Sequence, residues 1–284
     1  MRPPKDLTEL SVQEFDLERT LGCGQIFHAM SLPGPSGPGW QVLVDHEPIF
    51  LCQRGEILLV TAGHEATARN YLALDHPLET VYAAFPTDPF SQAALTACRG
   101  LRILRQPLWE CLATFITSPM KQVAHIRQIS LHLRERFGCP VRGSLINAYP
   151  SATRLAETSE DALRACGLGF RARSLFATAK AIACGSFDLT ALDALPTDKA
   201  RTLLCELPGV GRKVANCVLL FACERLDAVP VDVWMARILQ AMRKKKSTPL
   251  ELERFSRRRF GAYAGYIQQY LFHHARMTKS LPKP

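Results

Sequence analysis

Leu207-Pro208-Gly209-Val210-Gly211-Arg212-Lys213-Val214-Ala215, followed by Val229-Pro230-Val231-Asp232, is the stretch on which the reading of this chain turns. Two glycines separated by one apolar residue make a tight turn, and such a turn at the mouth of a helix lets backbone N–H groups face an anion unobstructed. Phosphate is the natural guest. Asp232 follows a proline-containing turn and opens the apolar-periodic run Val233, Met235, Ala236, Ile238, Leu239, so its carboxylate stands where a helix begins. If the two helices pack, Lys213 and Asp232 share one pocket. Each feature alone has a plainer reading. Gly-x-Gly turns occur in many loops, an Asp at a helix start is commonly a cap contributing about 1 kcal/mol, and a lysine after a turn is commonly a solvated charge. Their combination points to a phosphate-holding hairpin over 205–215 with a reactive Lys/Asp pair attached.

The composition is that of a folded chain: 284 residues, 47% hydrophobic and 21% charged, enough for one large or two ordinary domains. Thirty-five Lys and Arg against twenty-six Asp and Glu give a net charge of +9, which favours a polyanionic partner without requiring one. Residues 1–22 lack the apolar core of a signal peptide, and no run approaches the roughly 18 apolar residues of a membrane span. A soluble intracellular protein with no membrane association is expected. The ten cysteines are scattered singly, without Cys-x-x-Cys or zinc spacing, and read mostly as small buried hydrophobes kept reduced. Arg243-Lys244-Lys245-Lys246 follows a helix, where positive charge is favoured; a targeting or phosphate-contact role remains open beside that.

Between 40 and 62, Trp-Gln-Val-Leu-Val, Pro-Ile-Phe-Leu-Cys and Ile-Leu-Leu-Val, separated by turn-forming residues, predict a small antiparallel sheet. The preceding Pro/Gly-rich segment 31–39 reads as a loop, with a simple hairpin insertion as the other reading. After about residue 65 the period becomes helical, with Asp88 a candidate cap. Helices are expected near 107–117, 122–137, 159–166, 172–183, 199–206, 212–223, 232–242, 249–259 and 263–277. The fold class is therefore α+β.

Five segments, spread over nearly the whole chain, resemble the 8-oxoguanine DNA glycosylase/AP lyase family of the helix-hairpin-helix glycosylase superfamily. They are Gly22-Cys23-Gly24-Gln25-Ile26-Phe27; Leu104 to Leu112 continuing through Phe115-Ile116-Thr117-Ser118; Gly167-Leu168-Gly169-Phe170-Arg171-Ala172-Arg173; the hairpin with its Asp232; and Tyr263 to Phe272. The resemblance implies an N-terminal sheet domain, 1–105, that contributes to a base pocket, and a helical glycosylase domain, 106–284. It makes Lys213 and Asp232 catalytic. It assigns the base to Gly24, whose carbonyl accepts from N7–H of the oxidised purine, to Gln268, which reads the Watson–Crick edge, and to Phe272 and Cys217, which hold the two faces. It assigns DNA contacts to Met120, His125, Arg171, Gly209, Gly211 and Val214. Met120 and His125 stand where the family commonly has asparagine and arginine, and a thioether cannot donate to a base edge, so weakened discrimination of the opposite base is expected. Trp234 replaces a histidine expected beside the Asp. The four-cysteine iron–sulfur loop of the endonuclease III and adenine glycosylase branches is missing from the sequence after Cys223.

The activity so implied is excision of 8-oxoguanine from duplex DNA by base flipping, attack of Lys213 on C1′, Schiff-base formation and β-elimination, with no cofactor and no metal. A monomer is expected, since scanning a duplex for one nucleotide needs no two-fold symmetry. The compartment would be nucleoid and cytoplasm in a bacterium, the nucleus in a eukaryote. Two other readings stay beside it: a hairpin glycosylase for a different damaged base, and a non-catalytic hairpin module that binds DNA.

Overall fold

A computed structural model describes residues 4, 6–35, 37–118 and 122–282. Strand β1 (Leu7–Ser11) and helix α1 (Leu17–Gly22) precede β2 (Met30–Gly34), β3 (Gly37–Val44), β4 (Glu47–Arg54) and β5 (Ile57–Thr61). The later α-helices are α2 (Glu65–Tyr71), α3 (Leu78–Ala83), α4 (Pro89–Cys98), α5 (Leu108–Thr117), α6 (Val123–Phe137), α7 (Ala152–Ala156), α8 (Glu160–Leu163), α9 (Arg171–Ala183), α10 (Thr197–Leu204), α11 (Arg212–Ala222), α12 (Val233–Arg243), α13 (Pro249–Phe260) and α14 (Ala264–Thr278). The α+β expectation holds.

The five strands pair antiparallel in the order β1-β5-β4-β3-β2. Asp45 and His46 both have positive φ, 47° and 69°, between the paired Val44 and Glu47. That is the geometry of a two-residue type I′ turn, whose twist matches the strands it joins. Segment 31–39, expected as a loop, instead supplies β2 and the start of β3, with Leu32 opposite Gly39 and Pro33 opposite Pro38. The prolines are tolerated because β2 is an edge strand and because Pro38 lies beyond the last β3–β4 pair, Gly39 with Cys52.

One face of the sheet (Val42, Val44, Ile49, Leu51, Leu58, Val60) packs with Leu17 and Leu21 of α1 and with Ala68 and Tyr71 of α2. A larger core gathers the helices, and Leu78 and Val81 of α3, Phe85 after it and Ala94 of α4 belong to it, together with Cys23 and Phe27. The two cores are joined through residues 101–106, whose backbone polar groups are satisfied from several directions. Buried Gln25 donates to the carbonyls of Thr20 (2.9 Å) and Arg102 (2.8 Å) and accepts from Leu104 N–H (2.9 Å). Tyr266 accepts from Ile103 N–H at 3.0 Å, and Tyr270 donates to the Leu101 carbonyl at 2.8 Å.

Candidate active site

The hairpin between α10 and α11 is built on Gly209, at φ +80°, where a Cβ would stand 2.5 Å from that of Ser174. Val210 N–H bonds back to the Leu207 carbonyl at 3.1 Å, and Thr178 of α9 donates to the Pro208 carbonyl at 3.0 Å. Gly211 is the residue before α11, with φ −90° and ψ 175°, and a Cβ there would meet nothing within 4 Å. Its small size is therefore not demanded by the protein's own packing. The first turn of α11 leaves N–H groups free of intrahelical partners, and the space above Gly211 gives an anion close access to them.

Lys213, the second residue of α11, donates from Nζ to Ser118 Oγ at 2.9 Å, with Nζ 5.2 Å from the centre of the Phe115 ring. Ser118 donates its own hydroxyl proton to the Phe115 carbonyl at 2.8 Å, which turns an oxygen lone pair toward the amine. Phe115 is itself wedged edge-on against Phe27 and stacked on Phe221. Arg212 turns away, engaging Glu253 through Nη2 at 2.8 Å and Nε at 3.1 Å, so this neighbouring cation is balanced on α13.

Asp232 caps α12, accepting from Met235 N–H at 2.8 Å, and the expected inward positions Met235, Ile238 and Leu239 are buried. Burial pushes the Asp232 carboxyl up, against hydrogen bonds from the backbone of Met235 and Trp234 and the charge of Lys213. Asn216 of α11 fixes the approach to Asp232 by donating to the Val229 carbonyl at 2.8 Å, and Asn216 is held in turn by Arg201 Nε at 2.6 Å. One turn along from Lys213 lies buried Cys217, whose thiol burial pushes up to about 11, Lys213 pulling it the other way. Lys213, Cys217 and Asp232 thus share one electrostatic neighbourhood.

Gln268 and Phe272 lie four residues apart on α14, Gln268 buried with its Oε1 lacking a hydrogen-bond partner among the described residues and Phe272 half-buried. The turn after α1 is tied to the same helix: Gln269 donates to the Cys23 carbonyl at 3.1 Å and Arg276 to the Gly22 carbonyl at 2.7 Å. Between those carbonyls and Gln25, Gly24 has φ +89°, and among the described residues no hydrogen bond reaches its carbonyl. Val123 of α6 is close to Gly24, and His125 is exposed two residues further along. Arg171 begins α9, mostly buried, with its guanidinium 4.3 Å from the centre of the Phe170 ring, which is 68% exposed. Val214 is buried in the first turn of α11. Trp234 lies under Arg237, Cζ to ring centre 5.9 Å. Met120 lies outside the described residues.

Several of these residues have no signal in the sequence. Ser118 merely closes an apolar run, and Gln25, Asn216, Gln269 and Arg276 are ordinary polar side chains. All ten cysteines are free, six of them buried. Among the described residues no group of three His, Cys, Asp or Glu side chains is arranged to hold a metal ion, and no helix is long and apolar enough to cross a membrane.

Residues 8–112 match the family model of the 8-oxoguanine DNA glycosylase N-terminal domain. The chain is 31% identical over 316 aligned residues to a probable N-glycosylase/DNA lyase of Methanothermobacter thermautotrophicus, covering 96% of this chain and 97% of that protein. Its structure is similar to that of MBOgg1 in complex with a low-affinity DNA ligand, with TM-score 0.90, 27% identity and 98% of each chain covered. It is also similar to the Clostridium acetobutylicum 8-oxoguanine glycosylase/lyase bound to double-stranded DNA with cytosine opposite 8-oxoguanine, with TM-score 0.88, 25% identity, and 97% of this chain and 99% of that one covered.

Proposed function

The chain belongs to the 8-oxoguanine DNA glycosylase family, and from that premise we propose that it is a bifunctional DNA glycosylase and AP lyase that removes 8-oxoguanine from double-stranded DNA in base excision repair. The observation that carries the reading is the Lys213 amine, held by Ser118 beside Cys217 and within the field of a half-buried Asp232, at the first turn of the hairpin helix.

A stacked base shields its sugar carbon, so the nucleotide is extruded at a cost of a few kcal/mol. Backbone amides at Gly209, Gly211 and Val214 hold phosphate, a contact that positions without reading sequence. Met120 fills the vacated stack, while His125 and Arg171 face the opposite strand. The base lies between Phe272 and Cys217; its Watson–Crick donors meet the unpartnered Oε1 of Gln268, and N7–H meets the Gly24 carbonyl. Normal guanine presents a lone pair at N7 and is repelled there. The lone pair of Lys213 forms the bond to C1′ as the glycosidic electrons leave with the base, which takes up a proton. The sugar ring opens to an imine, loss of a C2′ proton follows, and the C3′–O bond breaks with phosphate as leaving group. Asp232, ionised, offsets positive charge on the sugar as the base departs. Cys217 stays a neutral thiol at pH 7 and serves as a packing surface.

Borohydride trapping on a duplex with one 8-oxoguanine opposite cytosine tests this directly. A covalent adduct is expected with the wild type on the lesion duplex only, and none with Lys213→Gln. Base release without an adduct would replace the lysine mechanism by water attack; neither event would move the reading to another damaged base or to DNA binding alone. With Met120 and His125 in place of the family's residues, discrimination among C, A, G and T opposite the lesion should be weakened, Arg171 retaining part of it, and strict preference for C would refute that part. The same reading divides the chain at 105/106, makes the enzyme a monomer, and places it with the chromosome, in the nucleoid or the nucleus.

A further inference from the structure

Gln268, Phe272 and Arg276 follow one another at four-residue spacing on α14 and so lie along one side of the helix. Arg276 is the cation of that row. Its Cζ lies 5.6 Å from the centre of the Phe272 ring, and its Nη2 donates to the Gly22 carbonyl. Its Nη1 stands 2.8 Å from where a Cβ on Gly24 would be, buried and, among the described residues, without a hydrogen-bond partner. An arginine serving only as a brace would aim both amino groups at acceptors, because a buried donor left unpaired bears its whole desolvation cost.

The turn therefore brings together an unengaged acceptor, the Gly24 carbonyl, and an unengaged donor, Arg276 Nη1. Oxidation of guanine at C8 creates the complementary pair on adjacent ring atoms: N7 gains a hydrogen, and C8 gains an oxygen. We propose that Arg276 is a second reader of the oxidised edge, Nη1 donating to O8 while the Gly24 carbonyl accepts N7–H. This rests on the reading of the pocket given above. Undamaged guanine fails at both points, since its N7 lone pair opposes the carbonyl and its C8–H gives the guanidinium nothing to bond.

Binding of the wild type and of Arg276→Met to duplexes carrying uncleavable 2′-fluoro nucleotides of guanine, 8-oxoguanine and 8-thioguanine isolates the contact. The thio base keeps N7–H but offers sulfur, a weak acceptor, in place of O8. The wild type should prefer 8-oxo over 8-thio by roughly tenfold, and the variant should bind the two about equally. Cleavage at a ready-made abasic site, where no base is read, should stay within about twofold. An unchanged 8-oxo to 8-thio ratio in the variant, or a parallel loss of abasic-site cleavage, would overturn the proposal. A wild type that prefers neither modified base to guanine refutes the glycosylase reading itself, and the inference with it.

Discussion

Asp232 carries two duties that can be separated. Its side chain caps α12 and its charge faces the Lys213 pocket. Asparagine caps about as well as aspartate, so Asp232→Asn should leave the melting temperature nearly unchanged while slowing base excision in single turnover by about a hundredfold. Because burial raises the pKa of the carboxyl and the ionised form is the working one, wild-type excision should decline on the acid side at a higher pH than an ordinary carboxylate would impose. That acid limb should flatten in the variant; a limb of the same shape in Asp232→Asn would assign it to another group. Gln25 presents the opposite case, a residue whose side chain makes three hydrogen bonds and has no place in the chemistry. Gln25→Leu strands the Arg102 carbonyl and the Leu104 N–H in the interior and should cost about 2 kcal/mol or more in urea unfolding.

The two hairpin glycines should respond differently, although both are glycine in one short turn. Gly209 has positive φ and no room for a Cβ, so Gly209→Ala should destabilise the fold by about 1–3 kcal/mol. Gly211 has ordinary backbone angles and open space, so Gly211→Ala should melt with the wild type yet bind undamaged duplex several-fold more weakly. Equal DNA affinity in Gly211→Ala would remove phosphate from that position. The elements themselves were unevenly legible. The cap at Asp88 and the 3.6-residue periods of α5, α6 and α9 to α14 are written locally, since each helix buries one stripe. Strand β1 was hidden because only Leu10 of its five residues is buried, β2 because Pro and Gly spell a loop until an edge position tolerates them, and α7 because five residues are too few for a period. The Lys213 and Asp232 pair is legible as a lysine after a glycine hairpin followed by an aspartate at a helix start. Gly24, Cys217, Gln268 and Phe272 are legible only through resemblance, and their supports Gln269 and Arg276 carry no local signal, since their partners are 246 and 254 residues away in the chain.

For the molecule as a whole, buried ionisable groups set the acid tolerance. Burial, with Arg276 and Arg19 nearby, holds the His273 imidazole down at about 4, whereas in the unfolded chain it protonates near 6.5. Between those values the unfolded state binds more protons, so the stability present above pH 6.5 is lost as pH falls toward 4. Burial alone would raise the Glu110 carboxyl, but His28 and Arg134 overcome it and hold it at about 2, which adds a second loss below about pH 4.5 with the same sign. Urea titrations should show the protein weaker at pH 5 than at pH 7 by on the order of 1 kcal/mol, and His273→Gln should lessen that slope. The tie between the Gly22–Gly24 turn and α14 also has a meaning in time. A ribosome completes the sheet and releases the Lys213 hairpin before α14 has been made, so an unfinished chain holds its nucleophile with no base-reading helix beside it. Competence to recognise a lesion is the last property the growing polypeptide acquires, and premature termination before residue 264 should yield a sheet that folds and a lysine that has no lesion to meet.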